Sequence, residues 1–218
     1  MRHVDEGIPR RGFLGRLTLA AAALAARPAG AQPRAMADEA WLRGLTAKHR
    51  TVFDIPSHNN GRALMQAANF LDAYERDYAA SPHDVNLVLG FHGTSLPLVL
   101  SDAMWSKYRL GEQYTIADPQ SQSASTRNLF TAANGGARMP VTAAQTVEAL
   151  QKRGVLFLAC NNTIINTSRR LAAAGLGAEP AIRQDLAGGL LPDVVLVPDL
   201  YIAIGHMQER GISYLQVG

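Results

Sequence analysis

The chain has a single cysteine, Cys160, among its 218 residues. A disulfide framework is therefore excluded, and so is a dithiol redox centre, which needs a C-x-x-C pair. The sequence has no G-x-G-x-x-G, no G-x-x-x-x-G-K-S/T and no H-E-x-x-H. Dinucleotide-binding, P-loop and zinc-protease chemistries thus lack their defining residues. Gly93-Thr94-Ser95-Leu96-Pro97 is not a G-x-S-x-G elbow, which argues against a serine hydrolase. Long apolar runs are missing too: the longest, 17–26, is about half of the roughly 20 residues a membrane-spanning helix needs. No integral membrane segment is expected in the mature chain.

A basic excess is also more apparent than real. The chain has 21 Lys+Arg against 18 Asp+Glu, a formal charge of +3. Its first 31 residues read as a twin-arginine export signal. Arg10-Arg11-Gly12-Phe13-Leu14 precedes the apolar run, and Ala29-Gly30-Ala31 is a small-residue cleavage site before Gln32. That segment holds Arg2, Arg10, Arg11, Arg16 and Arg27 but only Asp5 and Glu6 on the acidic side. Without it acid and base balance, so charge gives no reason to expect a nucleic-acid partner. The expected mature protein, 32–218, is one domain, exported folded to the periplasm.

Within that domain, Cys160 stands at a junction. Gly154 opens the apolar run 155–159, which reads as a buried strand, and Asn161, Asn162 and Thr163 suit the start of a helix. A thiol at a strand-to-helix turn meets the unpaired N–H groups of the first helical turn, which favour the anion and raise reactivity. A free cysteine is also a small hydrophobe that is commonly buried. Both readings stand on sequence.

The rest of the chain alternates strands and helices. Strands are expected over 50–55, 84–91, 155–159, 193–197 and 212–216, and helices over 39–48, 62–78, 142–152, 162–173, 179–186 and 200–209, with another that is capped by Thr94 or Ser95, takes Pro97 in its first turn and runs to about 108. That alternation predicts an α/β domain of flavodoxin-like type, a parallel sheet with helices on both faces. Residues 110–140 carry no clear period and are expected as a lid, a subunit contact or a disordered loop.

In such a sheet the ligand crevice lies beyond the carboxyl ends of the strands. The rule gathers Asp54 and His58, His92 with Thr94 and Ser95, Cys160 with Asn161 and Asn162, and Asp199 at one rim. Cys160 and His92 are the candidate catalytic pair, since an imidazole beside the sulfur can take its proton. Thr94, Ser95, Asn161 and Asn162 are the candidate substrate contacts. No metal ligands and no cofactor are assigned; a metal or haem held by His92 and Cys160 is a minor alternative.

The segments 87–93, 156–163, 190–198 and 208–214 together resemble the DsrE/DsrF-like family of sulfur oxidation and sulfur relay, over about 84–216. Leu156-Phe157-Leu158-Ala159-Cys160-Asn161-Asn162-Thr163 carries the cysteine of that resemblance. It implies that Cys160 accepts sulfane sulfur as a persulfide and passes it to a thiol-bearing partner. It also implies a homo-oligomer, a trimer or hexamer. The alternative is a non-catalytic ligand-binding or assembly module on the same fold.

Overall fold

The structure, a computed structural model, describes residues 39–136 and 139–218. The expected export signal lies outside the described residues. Five strands, β1 (His49–Ile55), β2 (Val85–Phe91), β3 (Leu156–Cys160), β4 (Val194–Val197) and β5 (Ser213–Gln216), form one sheet. All neighbours are parallel, in the spatial order β4-β3-β2-β1-β5. This is a flavodoxin-like α/β fold. The flavodoxin order is 2-1-3-4-5; here the edge place beside β1 goes to the last strand, and β2 lies on the inner side of β1.

The helices are α1 (Ala40–Arg43), α2 (Arg62–Asp77), α3 (Asp102–Lys107), α4 (Leu110–Gln113), α5 (Val147–Lys152), α6 (Asn161–Ala173), α7 (Glu179–Gly188) and α8 (Leu200–Glu209). They cover the faces unequally. Phe53, Ile55, Leu87, Leu89, Phe91, Phe157 and Ala159 point into a large core shared with α2 through α7. Val52, Val88, Leu158, Cys160 and Val197 point the other way, into a smaller core under α1 and α8. Apolar residues on both faces are what a parallel sheet covered on both sides requires.

Three helical expectations change, one of them over 142–152, which is a 3₁₀ turn Ala143–Gln145 and then α5, with Thr146 between them extended. The first helix spans four residues instead of 39–48. The helix expected from the Thr94 or Ser95 cap to about 108 is two elements, a 3₁₀ helix Gly93–Val99 and then α3. Leu100 and Ser101 between them are extended, and Ser101 occupies the N-cap position of α3. Pro97 lies inside the 3₁₀ helix; lacking an N–H, it cannot take part in a continuous α-helical ladder.

The described part of segment 110–140 is packed rather than open. It contributes α4, an isolated antiparallel bridge between Ala117 and Ala124, and the buried side chains of Leu110, Ile116, Asn128, Leu129 and Phe130. The close approach occurs at Gly111, where a Cβ would lie 2.2 Å from the backbone oxygen of Ser125 and 2.4 Å from its nitrogen. Backbone cannot swing aside as a side chain can. Gly111→Ala is therefore expected to lose about 2 kcal/mol in urea unfolding. Gly188→Ala, with nothing near its Cβ, should change stability by no more than about 1 kcal/mol, in the stabilising direction.

Candidate functional site

The carboxyl ends of β1, β2 and β3 bring the central group together. Asp54 is opposite Gly90 in the β1–β2 ladder, and Gly90 is opposite Leu158 in the β2–β3 ladder. All three belong to the face under α8: a Cβ on Gly90 would meet Leu200 Cδ1 at 2.8 Å, and Leu158 packs in the α8 cluster. Two residues further along, alternation returns to this face at His92 and Cys160. The last paired residues of the ladder are Phe91 and Ala159, so His92 and Cys160 are the next positions on adjacent strands, whose backbones run about 4.8 Å apart.

Gly90 matters here for packing. Its missing side chain lets Leu200, the first residue of α8, settle on the sheet. The next residue, Tyr201, then lies edge-on to the His92 ring, with centroids 5.2 Å apart. Asp199 caps α8 by accepting from the N–H groups of Tyr201 and Ile202, and it accepts from Asn162 Nδ2 at 2.5 Å. That bond ties the start of α6 to the start of α8.

His92 is 9% exposed and Asp54 3%. His92 Nε2 is 2.8 Å from Asp54 Oδ1, while Tyr214 of β5 donates its hydroxyl to Asp54 Oδ2, also at 2.8 Å. Burial alone would raise the Asp54 carboxyl, but the hydrogen bonds from His92 and Tyr214 outweigh it and hold the group below its ordinary value. Asp54 is thus a carboxylate, an acceptor only, so His92 Nε2 is the donor in this bond and Nδ1 is the ring nitrogen that Asp54 does not engage.

A depressed carboxyl contributes stability above its unfolded value and loses it as pH falls through the folded one. The wild-type protein is therefore expected to lose stability below about pH 4, where an unperturbed aspartate titrates. Asp54→Asn should flatten that part of the profile, measured by urea unfolding between neutral pH and pH 3.

The other expected site residues are divided. Cys160 is 5% exposed and packs within the apolar cluster under α8. Ser95 is a structural clamp. Its fully buried hydroxyl accepts from the His92 backbone N–H at 3.1 Å and donates to the Ile55 carbonyl at 2.5 Å. Thr94 is exposed and opens on a cleft beside α6. Asn161 faces a different, shallow cleft with Arg183 and Glu179. His58 is apart from Asp54: its Nδ1 accepts from the Asn60 N–H. Burial lowers its pKa against the opposing effect of a bond to the Tyr114 backbone, which keeps it neutral.

Tyr201 and Tyr214 were not expected at the site from sequence. Tyr214 was legible only as part of a closing edge strand, and nothing in its neighbours says that this strand lies beside β1. Among the described residues no three His, Cys, Asp or Glu side chains group as metal ligands, and no helix is long and apolar enough to cross a membrane.

These features define a parallel α/β protein with a tyrosine–aspartate–histidine chain next to a buried thiol. Neither known family models nor characterised proteins give a match to the chain. Among solved structures it is similar to a protein of unknown function, MTH1491 from Methanobacterium thermoautotrophicum. That likeness covers 78% of this chain and 99% of the other at 18% identity, with a TM-score of 0.42. A likeness this distant carries nothing about the site.

Proposed function

We propose that the protein handles sulfane sulfur, with Cys160 as the carrier. The observation behind this reading is the neighbouring placement of Cys160 and His92, with His92 hydrogen-bonded to the Asp54 carboxylate. His92 Nδ1 takes the thiol proton. The thiolate then attacks the outer sulfur of a persulfide donor R–S–SH, forming Cys160–S–SH and releasing R–S⁻; an acceptor thiolate reverses the exchange. No net oxidation occurs. Asp54 and Tyr214 are positioning residues: Tyr214 holds Asp54, and Asp54 holds the imidazole through Nε2, leaving Nδ1 as the nitrogen for the thiol proton.

The resemblance to the DsrE/DsrF-like family supports the same chemistry. It also supports a homo-oligomer, a trimer or hexamer, for which the exposed Tyr201, Ile202, Tyr214 and Leu215 offer apolar surface. Export to the periplasm by the twin-arginine route belongs to this reading. So does a thiol-bearing donor or acceptor as partner.

One observation favours a second reading. At 5% exposure the thiol is a core residue as much as a site residue, and a non-catalytic binding or assembly module would keep it so. Intact-mass measurement after incubation with a persulfide donor separates the two. The sulfur reading expects a gain of about 32 Da per bound sulfur and alkylation of the folded protein. No gain, with alkylation only after unfolding, would establish the module.

A further inference from the structure

The cleft between the 3₁₀ helix Gly93–Val99 and α6 holds about 500 Å³, within the range of small-molecule sites. Thr94, Thr115, Thr163, Asn166, Thr167 and Arg170 line it, and none of its lining residues is acidic. Arg170 sets its character. The guanidinium carbon lies 4.6 Å from the Tyr114 ring centroid, and Nη1 donates to Gln113 Oε1 at 3.1 Å. Both contacts hold the group at the wall without neutralising it. The neighbouring Arg169 takes the carboxylate of Glu179, and among the described residues Arg170 has no acidic partner.

The hydroxyls complete the wall. Thr163 Oγ1 accepts from the Gly93 N–H at 3.2 Å, so its own proton is free to be donated. Thr167 Oγ1 and the Tyr114 hydroxyl are 3.2 Å apart and fix one another. A held guanidinium, neutral donors around it and no competing carboxylate favour an anion, because charge-assisted hydrogen bonds to Arg are the strongest such a wall can form.

We infer that this cleft binds a small oxyanion-bearing molecule, with Arg170 as the charged contact and Thr163 and Asn166 as neutral donors. The inference does not depend on sulfur chemistry at Cys160. A carboxylate, a phosphate and a sulfur oxyanion share the required geometry, and titration tells them apart.

The experiment is calorimetric titration of the full chain with sodium thiosulfate, inorganic phosphate and citrate, each at ionic strength matched with sodium chloride so that general screening is constant. At least one anion is expected to bind saturably at one site, with a Kd of about 1 mM or tighter. Arg170→Gln should weaken that binding tenfold or more, with Arg170→Lys in between. Arg170 is exposed, so neither variant threatens the fold, and unchanged melting curves confirm it. Cys160→Ser should bind like the wild type, so failure of the sulfur-carrier reading leaves this result intact. Absence of saturable binding by all three anions below about 10 mM, or binding by Arg170→Gln as tight as wild type, overturns the inference.

Discussion

Cys160→Ser incubated with a persulfide donor is expected to take up no sulfur at all, whereas the wild type gains it stoichiometrically. The effect is complete because Cys160 is the chain's only thiol and a hydroxyl cannot form the sulfur–sulfur bond. The replacement is close in size. It puts a hydroxyl into the apolar cluster under α8, at a cost of about 1–3 kcal/mol, so the variant should remain folded and serve as a valid blank. His92→Gln gives a different signature. It removes the base and keeps the thiol, so loading should slow by about 10²-fold and still reach the wild-type endpoint. Asp54→Asn should fall between, since it disturbs the tautomer of His92 without removing the imidazole. A lowered endpoint in His92→Gln would show that the histidine holds the persulfide instead of generating the thiolate. Uptake by Cys160→Ser equal to wild type would sink the carrier reading outright.

Tyr201 lies against His92, the residue that neighbours Cys160 on the adjacent strand. Its ring is 67% exposed and lies edge-on to His92, so it can move without disturbing the core. The buried setting also suits a persulfide, whose outer sulfur survives longer when other thiols cannot reach it freely. The same enclosure that makes Cys160 look like a core residue is therefore compatible with a carrier that loads only from a donor able to reach a buried thiol.

The rim was legible in the sequence because buried parallel strands announce themselves as short apolar runs. The residue after each run then marks a carboxyl end, which gives His92 and Cys160, while Asp54 is the last residue but one of its own run. Strand order was not legible. Parallel strands joined by helices leave no hairpin signature to fix their neighbours, so nothing tied Tyr214 to Asp54. Local pattern also failed where one buried polar residue does the organising. The helix expected from the Thr94 or Ser95 cap to about 108 breaks at Leu100, and the described part of 110–140 packs as a wall. Asn128 links the two, and no period in the surrounding residues points to it.

Asn128→Ala is expected to cost about 3–5 kcal/mol, a large part of the 5–15 kcal/mol that stabilises a typical domain. The side chain is fully buried. Its Nδ2 donates to the carbonyls of Leu98 at 3.0 Å and Leu100 at 2.7 Å, with Pro97 more distant at 3.4 Å. Its Oδ1 accepts from the Phe130 N–H at 2.9 Å. Truncation would leave these backbone groups enclosed without that partner, and such losses cost about 1–3 kcal/mol each. Asn128→Asp should be at least as severe, because a carboxylate cannot donate to the carbonyls and would itself be buried. Asn134→Ala, which loses bonds at a more exposed position, should cost about 1 kcal/mol or less. Urea unfolding followed by circular dichroism ranks the three. Because the Leu98–Leu100 stretch continues the chain from His92, Asn128→Ala should also slow sulfur loading under conditions where it is still folded. A loss of less than 1 kcal/mol would instead make 110–140 a removable cover, leaving His92 and Ser95 to hold the rim by themselves.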